Sequence, residues 1–397
     1  MSTKWILYSI AVLLFVTTSS TLSVVQRVIQ PELLATVIVN EFLMMSVGAI
    51  KAFTSILMSI TLNGIRSRKI VSKIIKVDRG LLIDPINTYR STFIFTLVQV
   101  VAVYSYILIL FTYDTWVWTN AMDNMSAMYL ISGYPHRIIN IATVLQFCDL
   151  VLLLRSRLKA LNARLSFVLR NFEESGTGII LSNNASSKKP EIPTVVGSKI
   201  FRASEIKSGK IVPFVQSPRI FNRLQTPSLK ISERSTIHSL RELYDDLCDI
   251  NVLINSTFGL QLLLELGVTT IELTSSLYLT LATLLRIQTV AINFIGQFTS
   301  LMLAWLLEYS FKLVSVTAPC QSAGNEVETT AVLVQKLLLV RRFDDETMAE
   351  LQLFSQQLLQ RKMKFTAFGF LNLDYSLLFT IIGGVTTYLV IAMQYKK

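Results

Sequence analysis

Residues 375–394 read YSLLFTIIGGVTTYLVIAMQ. The stretch carries no charge, and as a helix it is about as long as the ~20 residues needed to cross a bilayer core. In water such a helix would need cover on every side, because its apolar residues form no single stripe. In a bilayer, lipid supplies that cover. Working outward, the same composition recurs along a chain of 397 residues that is 52% hydrophobic and 16% charged. Its mean hydropathy is +0.52, whereas soluble domains carry about 25% charge. Seven candidate spans emerge, at 5–25, 33–62, 92–113, 128–154, 258–285, 290–314 and 375–393. The second, fourth and fifth are long enough to tilt or to extend past the membrane. The first also fits a signal peptide, with Lys4, an apolar run and then Thr17-Thr18-Ser19-Ser20; its removal would leave the remaining topology unchanged.

The net charge of +11 does not mark a nucleic-acid coat or a disordered chain, because the basic residues are bunched. Segment 63–91 holds seven, 155–254 sixteen and 315–374 six; with Lys4, 30 of the 37 fall on one side. The opposite side has Arg27, Arg286, Lys396 and Lys397. Cytoplasmic loops are the basic ones, so the N-terminus is expected inside, the C-terminus outside, and the helix count odd. The acceptor triplet Asn124-Met125-Ser126 lies in an outside loop, 114–127, that lacks Lys and Arg, and makes Asn124 a candidate glycosylation site. Three cysteines without paired spacing exclude a disulfide scaffold or zinc ribbon. Cys248 and Cys320 face the cytosol and Cys148 lies in a span, so no disulfide is expected.

The long loop divides in three. Residues 155–172 continue the fourth span as a helix, 173–234 read as a disordered linker rich in Ser, Asn, Pro and Lys, and 235–254 turn helical again. Residues 331–364 are amphipathic, with Asp344-Asp345-Glu346 suited to a helix start and Arg361-Lys362 to an end. Met348, Leu351, Phe354 and Leu358 share a face that would pack on the protruding bundle rather than lie on the membrane. The expected architecture is an all-α membrane protein of seven transmembrane helices with a cytoplasmic helical anchor bundle.

Ionisable groups inside spans are costly and point to function. Glu265 and Glu272 share one helix face, two turns apart. Glu308 and Lys312, four residues apart, read as a structural ion pair. Glu41 and Lys51 lie on the second span. The outer halves collect Tyr104, Tyr106, Tyr129, Tyr134, His136, Arg137, Ser276, Tyr278, Asn293 and Gln297. From these, Glu41, Tyr104, Tyr106, Tyr134, Arg137, Glu272, Tyr278, Asn293 and Gln297 are candidates for a pocket open to the outside and suited to a small neutral molecule. The competing reading is an interfacial aromatic belt with interhelical hydrogen bonds. No G-x-S-x-G, H-E-x-x-H or phosphate loop is present, so no enzyme, metal or cofactor is expected. Asp78-Arg79-Gly80 is a fragment of a G-protein-coupled receptor motif, but such receptors have the opposite orientation and an N-P-x-x-Y pattern that this chain lacks. Repeated halves, the mark of many transporters, are not visible.

The last span carries a further pattern. Gly383 and Gly384 sit among small residues that permit close helix approach, and Thr387-Tyr388 is followed by five hydrophobic residues and Gln394-Tyr395. This resembles the C-terminal signature of the insect gustatory receptors, Thr-Tyr, five hydrophobics and Gln-Phe, with Tyr395 in place of Phe. Residues 353–359 and 365–370 are similar to the family's run before that helix, with Phe368 where Cys is usual. Residues 247–249 with 255–261, and 146–147 with 157–162, resemble its entry to the fifth helix and exit from the fourth. The resemblance implies a plasma-membrane, tastant-gated cation channel of chemosensory neurons, present in dendrite, axon and cell body. It implies a homo- or heterotetramer with other gustatory receptor subunits in the lipid bilayer, whose last helices line one pore, and no nucleic-acid partner. It places Gln394 and Tyr395 at the outer gate and Thr387 and Tyr388 as packing residues on the pore helix. Leu389 stands where the sugar-sensing branch often has an acid, which leaves bitter, fructose-type and internal roles open. A G-protein-coupled chemoreceptor and a transporter are the alternatives.

Overall fold

The computed structural model describes residues 3–29, 35–58, 64–83, 85–121, 131, 133–184, 233–285, 295–340 and 343–394. In chain order its helices are α1 (Thr3–Ile29), α2 (Ala35–Met58), α3 (Gly64–Gly80), α4 (Pro85–Ala121), α5 (Pro135–Asn184), α6 (Glu233–Leu284), α7 (Ile295–Leu339), α8 (Asp345–Gln360) and α9 (Tyr375–Gln394). A short antiparallel hairpin, β1 (Thr366–Ala367) with β2 (Leu371–Asn372), joins α8 to α9. Helices α1, α2, α4, α5, α6, α7 and α9 fall on the seven expected spans. Five of them, α4 to α7 and α9, are long and apolar enough to cross a membrane; α1 and α2 contribute the apolar stretches Leu7–Ser23 and Ser46–Met58. α4 is peripheral: only 11% of its most apolar stretch is buried, so most of its surface is left for lipid.

Length explains the architecture. At 1.5 Å per residue, the 52 residues of α6 make a helix of about 78 Å, more than twice a bilayer core of ~30 Å. α5 and α7 are also too long for a crossing alone, with 50 and 45 residues. Their excess lies at the basic end, where they form a bundle with α3 and α8. Leu154, Leu158, Leu161 and Leu165 of α5 meet Ile237, Leu240, Tyr244, Leu247 and Ile254 of α6, and the core continues through Val334 and Leu337 of α7. The three- and four-residue spacings put each set on one stripe. Burial pushes the Cys248 thiol up to about 11 and Cys320 well above the ordinary thiol range. All three cysteines are free.

Two boundaries differ from expectation. The basic segment 63–91, read only as a loop, contains α3. Ile70, Ile74, Val77 and Leu81 form a buried stripe, while Arg66, Arg68, Lys69 and Lys76 occupy the other faces, and this dense charge masks the periodicity. α5 also runs on to Asn184, into the stretch read as linker; residues 185–232 lie outside the described residues. Segment 331–364 splits, its first part closing α7 and its second forming α8. As expected, α8 opens on Asp345 and Glu346 and stops at Arg361. Leu351 and Phe354 are fully buried against α6 and α7, so this amphipathic helix joins the bundle.

The junction into α9 is clamped onto α6. The side-chain amides of Asn251 and Asn255 donate to the Lys364 carbonyl at 2.9 and 2.7 Å, and Asn255 Oδ1 accepts from the Thr366 amide at 3.2 Å. Arg361 pairs with Asp245 and, at 2.6 Å, with Asp249; Lys73 adds a contact to Asp249 at 2.9 Å. Hydrogen bonds from Arg361 first and Lys73 second hold the Asp249 carboxyl below its ordinary range. Gly259 makes the close approach possible, because a Cβ there would lie 2.9 Å from the Phe368 backbone nitrogen. Phe368 itself has φ 54 and Gly369 φ 79, which turns the hairpin. Gly259→Ala should therefore lower the denaturation midpoint of the solubilised protein, by the equivalent of about 1–3 kcal/mol for overpacking. Gly267→Ala, whose Cβ meets open space, serves as control and should leave it unchanged.

Candidate functional site

Helices α2, α5, α6 and α7 meet around a buried network of charge. Glu265 and Glu272 project from one face of α6 toward α7, whose Glu308 and Lys312 lie one turn apart. Lys312 Nζ is 3.2 Å from Glu265, 3.2 Å from Glu308 and 4.0 Å from Glu272. Lys51, on α2, closes on Glu265 at 3.1 Å. Arg137, in the first turn of α5, lies 3.8 Å from Glu272 and donates to the Tyr309 hydroxyl at 3.5 Å. Its guanidinium stacks 4.3 Å from the centre of the Trp305 ring. The four groups on α6 and α7 and Lys51 are all under 10% exposed. Without these partners each charge would cost several kcal/mol in such surroundings.

One turn toward the outer end, Asp114 of α4 is 5% exposed. It accepts from the Tyr134 hydroxyl at 2.7 Å and from Trp305 Nε1 at 3.2 Å. Tyr134 stacks on Phe111 with ring centres 4.0 Å apart, and its hydroxyl lies 3.0 Å from that of Thr115. Trp305 thus links the Asp114 layer to the Arg137 layer. Between them is a cavity of about 10 Å³, room for one water-sized group, lined in part by Arg137, Asn140, Glu272, Trp305, Glu308 and Lys312. Toward the basic end, a wider polar depression of about 550 Å³ borders Lys76, Arg241, Asp246 and Arg361.

The expected pocket residues separate into groups. Arg137, Tyr134 and Glu272 come together in this network. Tyr104 and Tyr106 donate instead to backbone carbonyls, of Ile138 at 3.4 Å and Ala304 at 3.0 Å, tying α4 to α5 and α7. Tyr278 packs against the core from α6. Gln297 stands near the outer end of α7 with its Oε1 buried and unbonded among the described residues. Asn293, Asn124, Tyr395 and the Glu41 side chain lie outside the described residues. The reading of Glu308–Lys312 as a simple pair was too small, because it is one edge of a network across four helices. Asp114 was assigned to an outside loop; α4 continues to Ala121 and carries it inside. Asp78, of the Asp78-Arg79-Gly80 fragment, forms a buried pair with Arg157.

On α9, Leu377, Ile381 and Val385 make one buried stripe. Phe379 and Tyr388 are 75% and 67% exposed, Thr387 donates to the Gly383 carbonyl at 2.9 Å, and Gln394 is exposed at the helix end. A Cβ added to Gly383 or Gly384 would meet nothing within 4 Å, so their small-residue face approaches no helix among the described residues.

The sequence pattern of the 7tm chemosensory receptors matches residues 1–397. The chain belongs to the 7tm chemosensory receptor family. Drosophila melanogaster relatives agree: the receptor is 31% identical to gustatory receptor 28b over 43% of its length, and 28% identical to gustatory receptor 68a over 40%. The matched stretches span 35% and 41% of those relatives' own lengths. The fold resembles solved structures of the insect olfactory receptor OR5 from Machilis hrabei, with a TM-score of 0.58 alone and 0.60 for the complex with eugenol. Each likeness covers 98% of this chain and 89% of the other at 11% identity. The receptor is accordingly a multi-pass helical membrane protein of the chemosensory receptor family.

Proposed function

We propose that the receptor is a tastant-gated, non-selective cation channel of the plasma membrane of chemosensory neurons, assembled as a homo- or heterotetramer with four copies of α9 around one pore. The observation that carries this reading is the face of α9 with Gly383, Gly384 and Tyr388, which is left unpartnered among the described residues. It lies on the helix that bears the family signature. A small-residue stripe suits close approach of a second helix, and the symmetric solution for repeated copies is a ring. That a receptor of this fold was solved with eugenol supports a small-molecule ligand. The buried charge network is the best candidate for where the ligand acts. Binding would favour the conformation in which the α9 helices have moved outward, a population shift.

Gln394→Ala should alter gating or ion selectivity in patch-clamp recordings while native gels still show the full assembly; unchanged currents would remove Gln394 from the gate. Purified tetramers that pass no current with an established agonist would remove the channel reading altogether. A tag placed after Lys397 should stain on intact cells, which excludes a G-protein-coupled orientation.

A further inference from the structure

α3 carries a second stripe on the side away from the bundle. Ile70, Ile74, Val77 and Leu81 are its buried face. Opposite them, Ile65, Arg68, Ser72, Ile75, Arg79 and Leu82 follow one another at spacings of three and four residues, so they also share a face. Every one of the six is exposed. The cations of this face are not spent within the chain. Lys73 and Lys76, on the flank, pair with Asp246 and Asp249 of α6, and the one acid of α3, Asp78, is taken by Arg157. Arg68 donates to its own helix, to the Gly64 carbonyl at 3.0 Å. Among the described residues, Arg68, Arg79 and the adjacent Lys69 have no carboxylate partner. Leu82 has φ 47, where a bulky side chain is strained and glycine is usual. It is 78% exposed, so burial does not offset that strain.

α3 is strung between two spans, α2 ending at Met58 and α4 starting at Pro85. Near its start, Arg66 donates to the Ser256 carbonyl, two residues before the apolar run of α6 begins at Phe258. Near its end, Asp78 accepts from Tyr89, four residues before the exposed apolar run Phe93-Ile94-Phe95 of α4. Both ends are therefore tied to the inner ends of spans. We propose that the outer stripe of α3 docks on the anionic phospholipids of the cytoplasmic leaflet. The charge is complementary, since basic residues on an amphipathic helix beside a span are drawn to anionic lipid. Ile65, Ile75 and Leu82 suit the boundary between head groups and acyl chains. Arg68 and Arg79 are eleven residues apart, about 16 Å along the helix. Phosphate hydrogen bonds reach about 3 Å, so a surface of several singly charged head groups fits the stripe better than one polyphosphate. The chain's own segment 185–232 has nine Lys or Arg and two Glu, and its like charge makes it a poor occupant. The proposal does not depend on the channel reading.

The test uses the whole receptor with a fluorophore on Ser72→Cys. Cys148, Cys248 and Cys320 are buried, so the introduced thiol labels selectively. The receptor is placed in phosphatidylcholine nanodiscs that contain spin-labelled phosphatidylserine or, for comparison, spin-labelled phosphatidylcholine. The serine lipid should quench the fluorophore at a mole fraction about tenfold lower or less, as expected for two cations at an anionic surface. Arg68→Gln should lower this preference about fivefold, and Arg79→Gln about as much. Lys336→Gln, which removes an exposed charge from the far end of the bundle, should leave it unchanged, and 1 M salt should abolish it. Leu82→Gly should raise the melting temperature in detergent, because glycine takes this conformation without strain; a fall would show that Leu82 serves the receptor's own packing and would overturn its place in the stripe. Equal quenching by the two lipids, or a preference that survives both arginine variants, would overturn the proposal. Loss of the preference on adding soluble glycerophosphoserine would overturn it in favour of a free phosphate site. Loss on adding polyglutamate would overturn it in favour of an acidic protein partner.

Discussion

Lys312→Met is expected to destabilise the receptor by about 3–5 kcal/mol, the usual cost of leaving buried charge uncompensated. That is a large share of a total stability that is typically about 5–15 kcal/mol. Lys312 is the only cation among the described residues that reaches all three glutamates, at 3.2 Å from Glu265 and Glu308 and 4.0 Å from Glu272. Without it, Lys51 holds Glu265 and Arg137 holds Glu272, and Glu308 loses its ion pair. A methionine of similar length fills the volume, so the effect isolates charge rather than packing. Surface labelling and the monodisperse fraction in detergent should both fall. Adding Glu308→Gln to Lys312→Met should restore part of the loss, because the two sites are in contact and their effects do not add. Wild-type surface levels and melting in Lys312→Met would mean that Lys312 is not what holds the three glutamates in place.

How much of this was legible in the sequence depends on whether a contact is local. Glu308 and Lys312 announce their pairing by a four-residue spacing, and Glu265 and Glu272 their shared face by a seven-residue one. Lys51 with Glu265, or Arg137 with Trp305, required knowing which helix faces meet, and periodicity within one helix carries no such information. Asp114 shows how a sound rule misplaces a residue. A carboxylate at the end of an apolar run ordinarily marks the membrane edge, but here Tyr134 and Trp305 supply the hydrogen bonds that let it stay inside. α3 was missed because dense charge on its other faces hid an aliphatic stripe of only four residues, Ile70, Ile74, Val77 and Leu81. The span positions and the ends of α8 were readable because composition and end charges act locally. The paired glycines of α9 were read as permitting close helix approach, and no helix among the described residues makes that approach.

The second large effect concerns the basic end, where sequence gave no hint of a buried pair. Arg157 is 1% exposed. Its Nε donates to Asp78 Oδ1 at 2.9 Å and its Nη2 to Asp78 Oδ2 at 3.0 Å, the parallel geometry that only a guanidinium provides. Tyr89 donates its hydroxyl to the same carboxylate, and its ring lies 5.6 Å from the guanidinium. One side-chain cluster therefore ties α3, the start of α4 and α5 together where the spans pass into the bundle. Arg157→Leu leaves Asp78, itself 7% exposed, with one neutral donor, and should cost about 3–5 kcal/mol. Arg157→Lys should recover little, since a point charge replaces neither parallel bond. The double change Asp78→Leu with Arg157→Leu should recover most of the loss, because a well-packed apolar pair can stand in for a buried ion pair at little or no cost. Thermal denaturation of the three variants in nanodiscs separates these outcomes. If the double variant melts as low as Arg157→Leu, the pair holds the three helices by a geometry that apolar packing does not reproduce, and its role is to set the register of α3 on α5 rather than to neutralise a charge.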